Sequence, residues 1–365
     1  MNIPFFPYAD LYQQDRENFQ KIFDDVCSRG AFILQKDLED FEENIKNFIG
    51  VKHAFGVANG TDALILGLKS VGLTEGDEVI LPSHTYIASP ASVHLVGGVP
   101  ILAECGRDGM IDPEDIEHRI TSRTKAIMPV HINGRTCNMD KILEIASNHN
   151  LLIVEDAAQG LGSRYKGKSA GTFGSFGTIS FYPAKLIGCF GDGGLVMTND
   201  DAVAENLFLL RDHGRDKNGD VTKWGYNSRL DNLQAAILNH KLSTYQKDID
   251  HRREIAQIYH DALKGNPCLK LPLPPEDGDN FDVYQNYELW AENRDELRAF
   301  LSENGIGTII QWAGVPVHRF KDLGFTQSLP KTDQFFNGCL MLPMNSALEY
   351  EQAEYIAQTI RNFYG

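Results

Sequence analysis

The stretch LLIVEDAAQG, residues 151–160, places an apolar run ahead of two acids, small residues and a glycine. A run this short and this apolar reads as a strand buried on both faces, which is the habit of parallel sheets covered by helices. Its acids, Glu155 and Asp156, then fall at the carboxyl end of the strand, where ligands gather in open α/β sheets. An acid there either faces a ligand or serves as a helix cap or surface group.

The same rhythm recurs on both sides of this stretch. EVIL (78–81), VPILAE (99–104), KAIMPVHI (125–132) and GTISFY (177–182) are further short apolar runs separated by helical or turn-rich segments. Between them, MDKILEIASNHN carries Met139, Ile142, Leu143, Ile145 and Ala146 at the spacing of an amphipathic helix. Asp200-Asp201 caps a second helix, predicted to end at Gly214. The expected fold is α/β: a large domain, residues 1–245, with a mainly parallel sheet sandwiched by helices. From Leu230 to Gly265 the chain is helical in pattern and bridges to a smaller α+β domain, residues 246–365. NPCLKLPLPPEDGDN, residues 266–280, reads as a loop.

With 365 residues, 42% of them hydrophobic, the chain can bury one large core and a smaller one. A net charge of −16 argues against a broad nucleic-acid footprint. Acidic and polar residues interrupt the N-terminal stretch before a signal or membrane segment could form, so a cytoplasmic location is expected. The six cysteines and eleven histidines form no CxxC pair, HExxH or tight cluster, so neither a disulfide framework nor a metal site is expected.

Two further features carry chemistry. Asn59-Gly60-Thr61 precedes an apolar helical run, and a turn feeding a helix N-terminus offers free backbone N–H groups to a phosphate. The alternative is an ordinary cap. In SFYPAKLIGCFGDGG, residues 180–194, Lys185 follows a strand and precedes a glycine cluster. Its amine leaves the same sheet edge as Asp156, and it is either a solvated bystander or a nucleophile for imine chemistry. A phosphate cradle, an acid able to pair with a pyridine nitrogen and an imine-forming lysine jointly describe pyridoxal phosphate.

In the order NGTDAL, DEVILPSHTYIAS, TKAIMPVHINGR, VEDAAQGLGSRYKGKSAGTFG, SFYPAK…GDGG and GYNSRLDNLQAAIL, the chain resembles the DegT/DnrJ/EryC1/StrS group of sugar aminotransferases, over nearly its whole length. That resemblance implies pyridoxal-phosphate-dependent transferase fold type I and amino transfer, from glutamate, to C3 or C4 of a nucleotide-linked 6-deoxy keto-sugar. It makes Lys185 the Schiff-base lysine and pairs Asp156 with the ring nitrogen. Gln159 would contact the ring's hydroxyl region, and Tyr86 would stack over the ring. The Gly60 turn, Thr61, the Asp62 N–H and Ser180 would hold the phosphate. Asn227 would reach the phosphate from a second subunit, implying a homodimer with shared sites.

The resemblance leaves some matters open. Arg229 either supports the Asn227 loop or faces substrate, and His318 either contacts substrate or is a packed histidine. Gln35-Lys36 and Trp312-Ala313-Gly314-Val315 depart from the group's usual residues where substrate loops are expected. A dehydratase of the same fold is an alternative, but its chemistry goes with histidine at position 185. A non-catalytic sensor or scaffold is the reading from another class.

Overall fold

The computed structural model describes residues 2–275 and 278–365. Glu276 and Asp277, in the loop expected over 266–280, lie outside the described residues. The first nine strands are β1 (His53–Val57), β2 (Glu78–Pro82), β3 (Val99–Ala103), β4 (Thr124–Ile127), β5 (Leu152–Asp156), β6 (Arg164–Tyr165), β7 (Lys168–Ser169), β8 (Phe176–Ser180) and β9 (Gly194–Thr198). Seven of them make one sheet in the order β1-β9-β8-β5-β4-β2-β3. From β8 to β3 every ladder is parallel; β9 runs against both its neighbours.

The expected mainly parallel α/β sheet is therefore present, with additions and trims. β1 and β9 escaped the sequence reading: Gly56 interrupts the pattern of β1, and β9 opens on Gly194, the last of a glycine cluster. Gly56 sits in β1 where a Cβ would come within 2.8 Å of Leu38 Cδ1 and 2.9 Å of Leu230 Cβ, so close helix packing excludes any side chain. The run expected over 125–132 stops at Ile127, ahead of Pro129, which has no N–H for a ladder. The helix capped by Asp200 ends at Arg211 instead of Gly214. Beyond it the chain turns so that the His213 N–H donates to Tyr226 O at 2.8 Å.

The remaining strands are β10 (Leu269–Lys270), β11 (Asn280–Phe281), β12 (Tyr287–Ala291) and β13 (Cys339–Leu342). β10, β12 and β13 form a small antiparallel sheet. The helix Asn232–Leu263 connects the two regions. Ala235, Leu238, Tyr245 and Ile249 share a core with the helix Lys36–Ile49, whereas Ile255, Ala256, Tyr259 and Leu263 pack with β12, β13 and the helix Tyr350–Tyr364. Packing also crosses between the ends of the chain. Ile3 joins the second core and bridges Ile306, while Val317, Phe325 and Leu329 join the core beneath β2. Among the described residues no helix is long and apolar enough to cross a membrane.

Candidate active site

The turns that leave β1, β2, β5 and β8 at their carboxyl ends surround a cavity of about 740 Å³. Gly60, Thr61, Asp62, Tyr86, Asp156, Gln159, Ser180 and Lys185 all line it, although they come from segments more than a hundred residues apart. A parallel sheet makes this convergence geometric, because its strands deliver their ends to one edge.

Lys185 sits in a tight turn whose backbone N–H donates to Tyr182 O at 2.8 Å. Three residues later, a Cβ on Gly188 would lie 2.4 Å from Pro183 O, so only glycine lets the chain fold back there. Burial pushes the Lys185 amine down from 10.5 to about 8, against the opposing pull of the Asp156 charge. Below that value the amine is mostly protonated and non-nucleophilic; above it, mostly neutral. Capture of added pyridoxal phosphate by the cofactor-free protein, followed by its absorbance, is therefore expected to accelerate about tenfold per pH unit up to about pH 8 and then level off. A rate still climbing steeply at pH 10 would show an ordinary, solvated lysine.

Asp156 is 4% exposed, and its carboxylate is held at both oxygens. Ser89 Oγ donates to Oδ2 at 2.7 Å and the Ala158 N–H to Oδ1 at 3.1 Å. With its hydroxyl hydrogen directed at Asp156, Ser89 Oγ accepts from Thr85 Oγ1 at 2.6 Å. Glu155, its neighbour in β5, faces the other way, as strand alternation requires. It is fully buried and accepts from the backbone N–H groups of Gly171, Phe173 and Gly174 and from His131 Nε2. Of the two acids, one faces the cavity and the other braces a turn.

Gly60 begins the helix Gly60–Ser70, and a Cβ on it would meet Ser180 Cβ at 3.0 Å. Among the described residues, neither the Gly60 N–H nor the Thr61 N–H has an acceptor. The Asp62 N–H donates to Asn59 Oδ1 at 2.8 Å, the cap of this helix. Gln159 accepts the Asn133 N–H at 2.8 Å through Oε1, which leaves its NH₂ for the cavity. Tyr86 is 58% exposed, and its ring opens into the cavity.

Other expected residues lie elsewhere. Arg229 pairs with Asp212 at 2.8 Å, the arrangement expected of a loop-supporting arginine. His318 is packed: it is 1% exposed, with Nδ1 2.8 Å from Ser83 Oγ and Nε2 3.0 Å from Asp333. Asn227 is exposed and lines a neighbouring cavity with Arg229; Asp192 borders both cavities. Gln35 precedes the helix Lys36–Ile49 and neither Gln35 nor Lys36 lines the main cavity, whereas Trp312 does.

Several supporting residues were not anticipated from the sequence. Gln285 donates to Ala184 O at 2.8 Å, bracing the backbone next to Lys185 from the C-terminal region. Beside the cavity, Glu288 of β12 is a buried carboxylate accepting from Asn133 Nδ2 at 2.8 Å. With its NH₂ turned toward Glu288, Gln311 donates to both carboxylate oxygens at 2.8 and 2.9 Å. Burial pushes Glu288 up to about 7 and the adjacent His84 down to about 4, so His84 stays neutral and donates from Nδ1 to Gly109 O.

Comparison with known proteins adds to this geometry. The sequence pattern of the DegT/DnrJ/EryC1/StrS aminotransferase family matches residues 13–361. The dTDP-3-amino-3,4,6-trideoxy-alpha-D-glucose transaminase of Streptomyces venezuelae is 39% identical, over 99% of this chain and 96% of that protein. A pleiotropic regulatory protein of Geobacillus stearothermophilus is 36% identical, over 100% of this chain and 99% of its own length. Among solved structures, S. venezuelae DesV in complex with a ketimine intermediate superposes with a TM-score of 0.95 at 38% identity, covering 100% of this chain and 98% of DesV.

Proposed function

Because the chain belongs to the DegT/DnrJ/EryC1/StrS aminotransferase family and its relatives include nucleotide-sugar transaminases, we propose that it moves an amino group from glutamate to a keto carbon, C3 or C4, of a nucleotide-linked 6-deoxy sugar, with pyridoxal phosphate as cofactor. The observation that carries this reading is the shared cavity of Lys185, Asp156 and the Gly60-Thr61 turn.

The cavity's own groups fit that cofactor. Two backbone N–H groups without acceptors, at a helix N-terminus, suit a phosphate, and the Thr61 and Ser180 hydroxyls stand beside them. Pyridoxal phosphate, when bound, supplies an aldehyde that condenses with primary amines and a ring that draws electrons from the carbon being deprotonated. Asp156, fixed by Ser89 and the Ala158 N–H, would hold a ring nitrogen in its protonated, positive form. Tyr86 offers an aryl face for ring packing, and Gln159 a free NH₂ for the ring's hydroxyl. Lys185 would provide the amine that secures the cofactor and, once free and neutral, would take the proton from the donor's α-carbon and return one to the acceptor's former keto carbon.

We also infer a two-fold homodimer in which Asn227 completes the partner's site. Asn227 and the nearby Trp224, the latter 96% exposed, lie on a loop beside the cavity mouth, as an interface segment would. Light scattering should give twice the chain mass of 40.8 kDa. A monomer would remove Asn227 from the site. The division into a large domain, residues 1–245, and a smaller one, residues 246–365, is kept as a proposal; the change of apolar partners along the helix Asn232–Leu263, between Ile249 and Ile255, supports a division within that helix.

The purified protein, incubated with glutamate and a panel of dTDP-, UDP- and GDP-linked keto-hexoses, is expected to yield an amino-sugar and 2-oxoglutarate in equal amounts by mass spectrometry. Release of ammonia with a deoxy-keto product would point to the dehydratase instead. Failure of glutamate and every other amino donor to change the bound cofactor's spectrum would overturn amino transfer.

A further inference from the structure

Beside the main cavity, two buried groups face each other in a hydrogen-bonding conflict that a proton resolves. His84 follows β2 and Glu288 lies in β12, and neither side chain is more than 2% exposed. His84 Nδ1 stands 2.8 Å from Gly109 O, and a carbonyl only accepts, so Nδ1 carries the hydrogen. In the neutral ring Nε2 is then a bare lone pair. Among the described residues it has no hydrogen-bond partner, and it faces Glu288 Oε2 at 3.5 Å.

An ionised Glu288 would set two acceptors against each other where water is excluded, and an unpaired polar atom there is costly. One proton between them turns the contact into a hydrogen bond. With that proton on Glu288 the pair is a neutral acid donating to a neutral imidazole; with it on His84, two charges are buried. Among the described residues no lysine or arginine pairs with Glu288, and burial favours the uncharged arrangement, pushing Glu288 up to about 7 and His84 down to about 4.

Glu288 is where two supports of the site meet. At 2.8 Å it holds Asn133 Nδ2, and the Asn133 backbone N–H fixes Gln159. Through His84 it reaches the turn that carries Thr85 and Tyr86, and Thr85 hydrogen-bonds Ser89, which fixes Asp156. Asp156 and Gln159 line the main cavity, whereas His84 and Glu288 do not, so the pair acts by position.

The surrounding groups leave the proton to this pair. Cys105, just after β3, and Cys339, in β13, both sense the Glu288 charge, but burial pushes their thiols up, Cys105 to about 12, so they stay uncharged at neutral pH. His318, next in the packing beyond Ser83, is engaged by Asp333. On its other side Glu288 borders a second cavity, of about 50 Å³, with Arg107, Asp108, Lys270 and the Arg135–Asp282 ion pair. Arg107, Asp108 and Lys270 are exposed, so this cavity gives the proton a route to solvent.

We propose that His84 and Glu288 are a proton-holding positioning pair: one proton between Glu288 Oε2 and His84 Nε2 ties β12 to the turn after β2, and its loss to solvent loosens the supports of Asp156 and Gln159. The effect on turnover rests on the aminotransferase reading; the shared proton does not. An acid whose value is raised in the fold is favoured there while protonated. Its contribution is therefore complete below the ordinary carboxyl value of 4.5 and is lost as pH rises through about 7.

Infrared difference spectra of the wild-type holoenzyme, taken between about pH 6 and about pH 8.5, are expected to show a protonated-carboxyl C=O band that disappears on the alkaline side. The band should be absent from Glu288→Gln. It should shift in frequency in His84→Phe, which keeps a ring against Phe335 and Phe336 but offers the acid no acceptor. The glutamate half-reaction, followed by the cofactor's absorbance, reads the positioning. Its rate in Glu288→Gln divided by that in wild type is expected to rise at least about threefold over the same range, because glutamine has no proton to lose. His84→Phe, whose contact is open at every pH, should show the same rise. Taking ratios cancels the titration of Lys185, which all three proteins carry.

A wild type without the band, or a band that persists in Glu288→Gln, would overturn the shared proton. Flat rate ratios in both variants would overturn the positioning role even with the band present. The expected band in a protein that shows no half-reaction with any amino donor would uphold the shared proton and defeat the aminotransferase reading itself.

Discussion

Replacing Lys185 with alanine is expected to lower amino transfer by at least about 10⁴-fold, because the proposed mechanism makes one side chain both nucleophile and proton carrier. No neighbour can substitute. Asp156 is tied to Ser89 and Ala158, and the other side chains on the cavity wall are amides, hydroxyls, carboxylates or apolar groups. The variant should also lose the absorbance band that signals imine formation with the protein, while its thermal melting changes little, since the amine itself makes no hydrogen bond among the described residues. Assay of kcat with glutamate and the preferred sugar checks the first expectation, and the cofactor's spectrum checks the second. Turnover within tenfold of wild type would mean that the reaction runs through another group.

The second large effect is expected at Asp156. Asparagine matches its shape, yet it removes the negative charge and turns an NH₂ toward either Ser89 or the Ala158 N–H. In the proposed mechanism a ring nitrogen would then lose the partner that keeps it protonated, and kcat is expected to fall about 10³-fold. A linked effect separates charge from general damage. The Asp156 charge raises the Lys185 amine against burial, so its removal should move the pH midpoint for cofactor capture below about 8. A variant whose midpoint stays put and whose kcat falls less than tenfold would show that this carboxylate does not govern the site's electrostatics.

Lys185 and Asp156 were legible in the sequence for a common reason: each follows a short apolar run at the carboxyl end of a parallel strand, so the pattern of the sheet alone brings them to one edge. Period-two alternation likewise separates Glu155 from Asp156. What supports them was not legible. Ser89 and Thr85 are small hydroxyl residues in a helix and the turn before it, and nothing in their spacing announces that they relay hydrogen bonds to a strand some seventy residues away. Glu288 reads as the polar position of an alternating strand, and its burial becomes visible only when Asn133 and Gln311 are seen to converge on it. The sequence left His318 and Arg229 open between ligand and structural roles; the structure gives His318 a partner far away in the chain, Ser83, and Arg229 a nearer one, Asp212. β1 and β9 were hidden by glycines that tertiary packing demands and strand propensity disfavours.

The account depends on a primary amine and a carboxylate serving one cofactor from the same cavity, and chemical trapping tests that most directly. The holoenzyme is reduced with borohydride, digested and sequenced by mass spectrometry. The expected result is one peptide, spanning Ser180 to Gly194, with a pyridoxyl phosphate group on the Lys185 Nζ. Modification of a different lysine, or a fully reduced sample with no modified peptide at all, would contradict it.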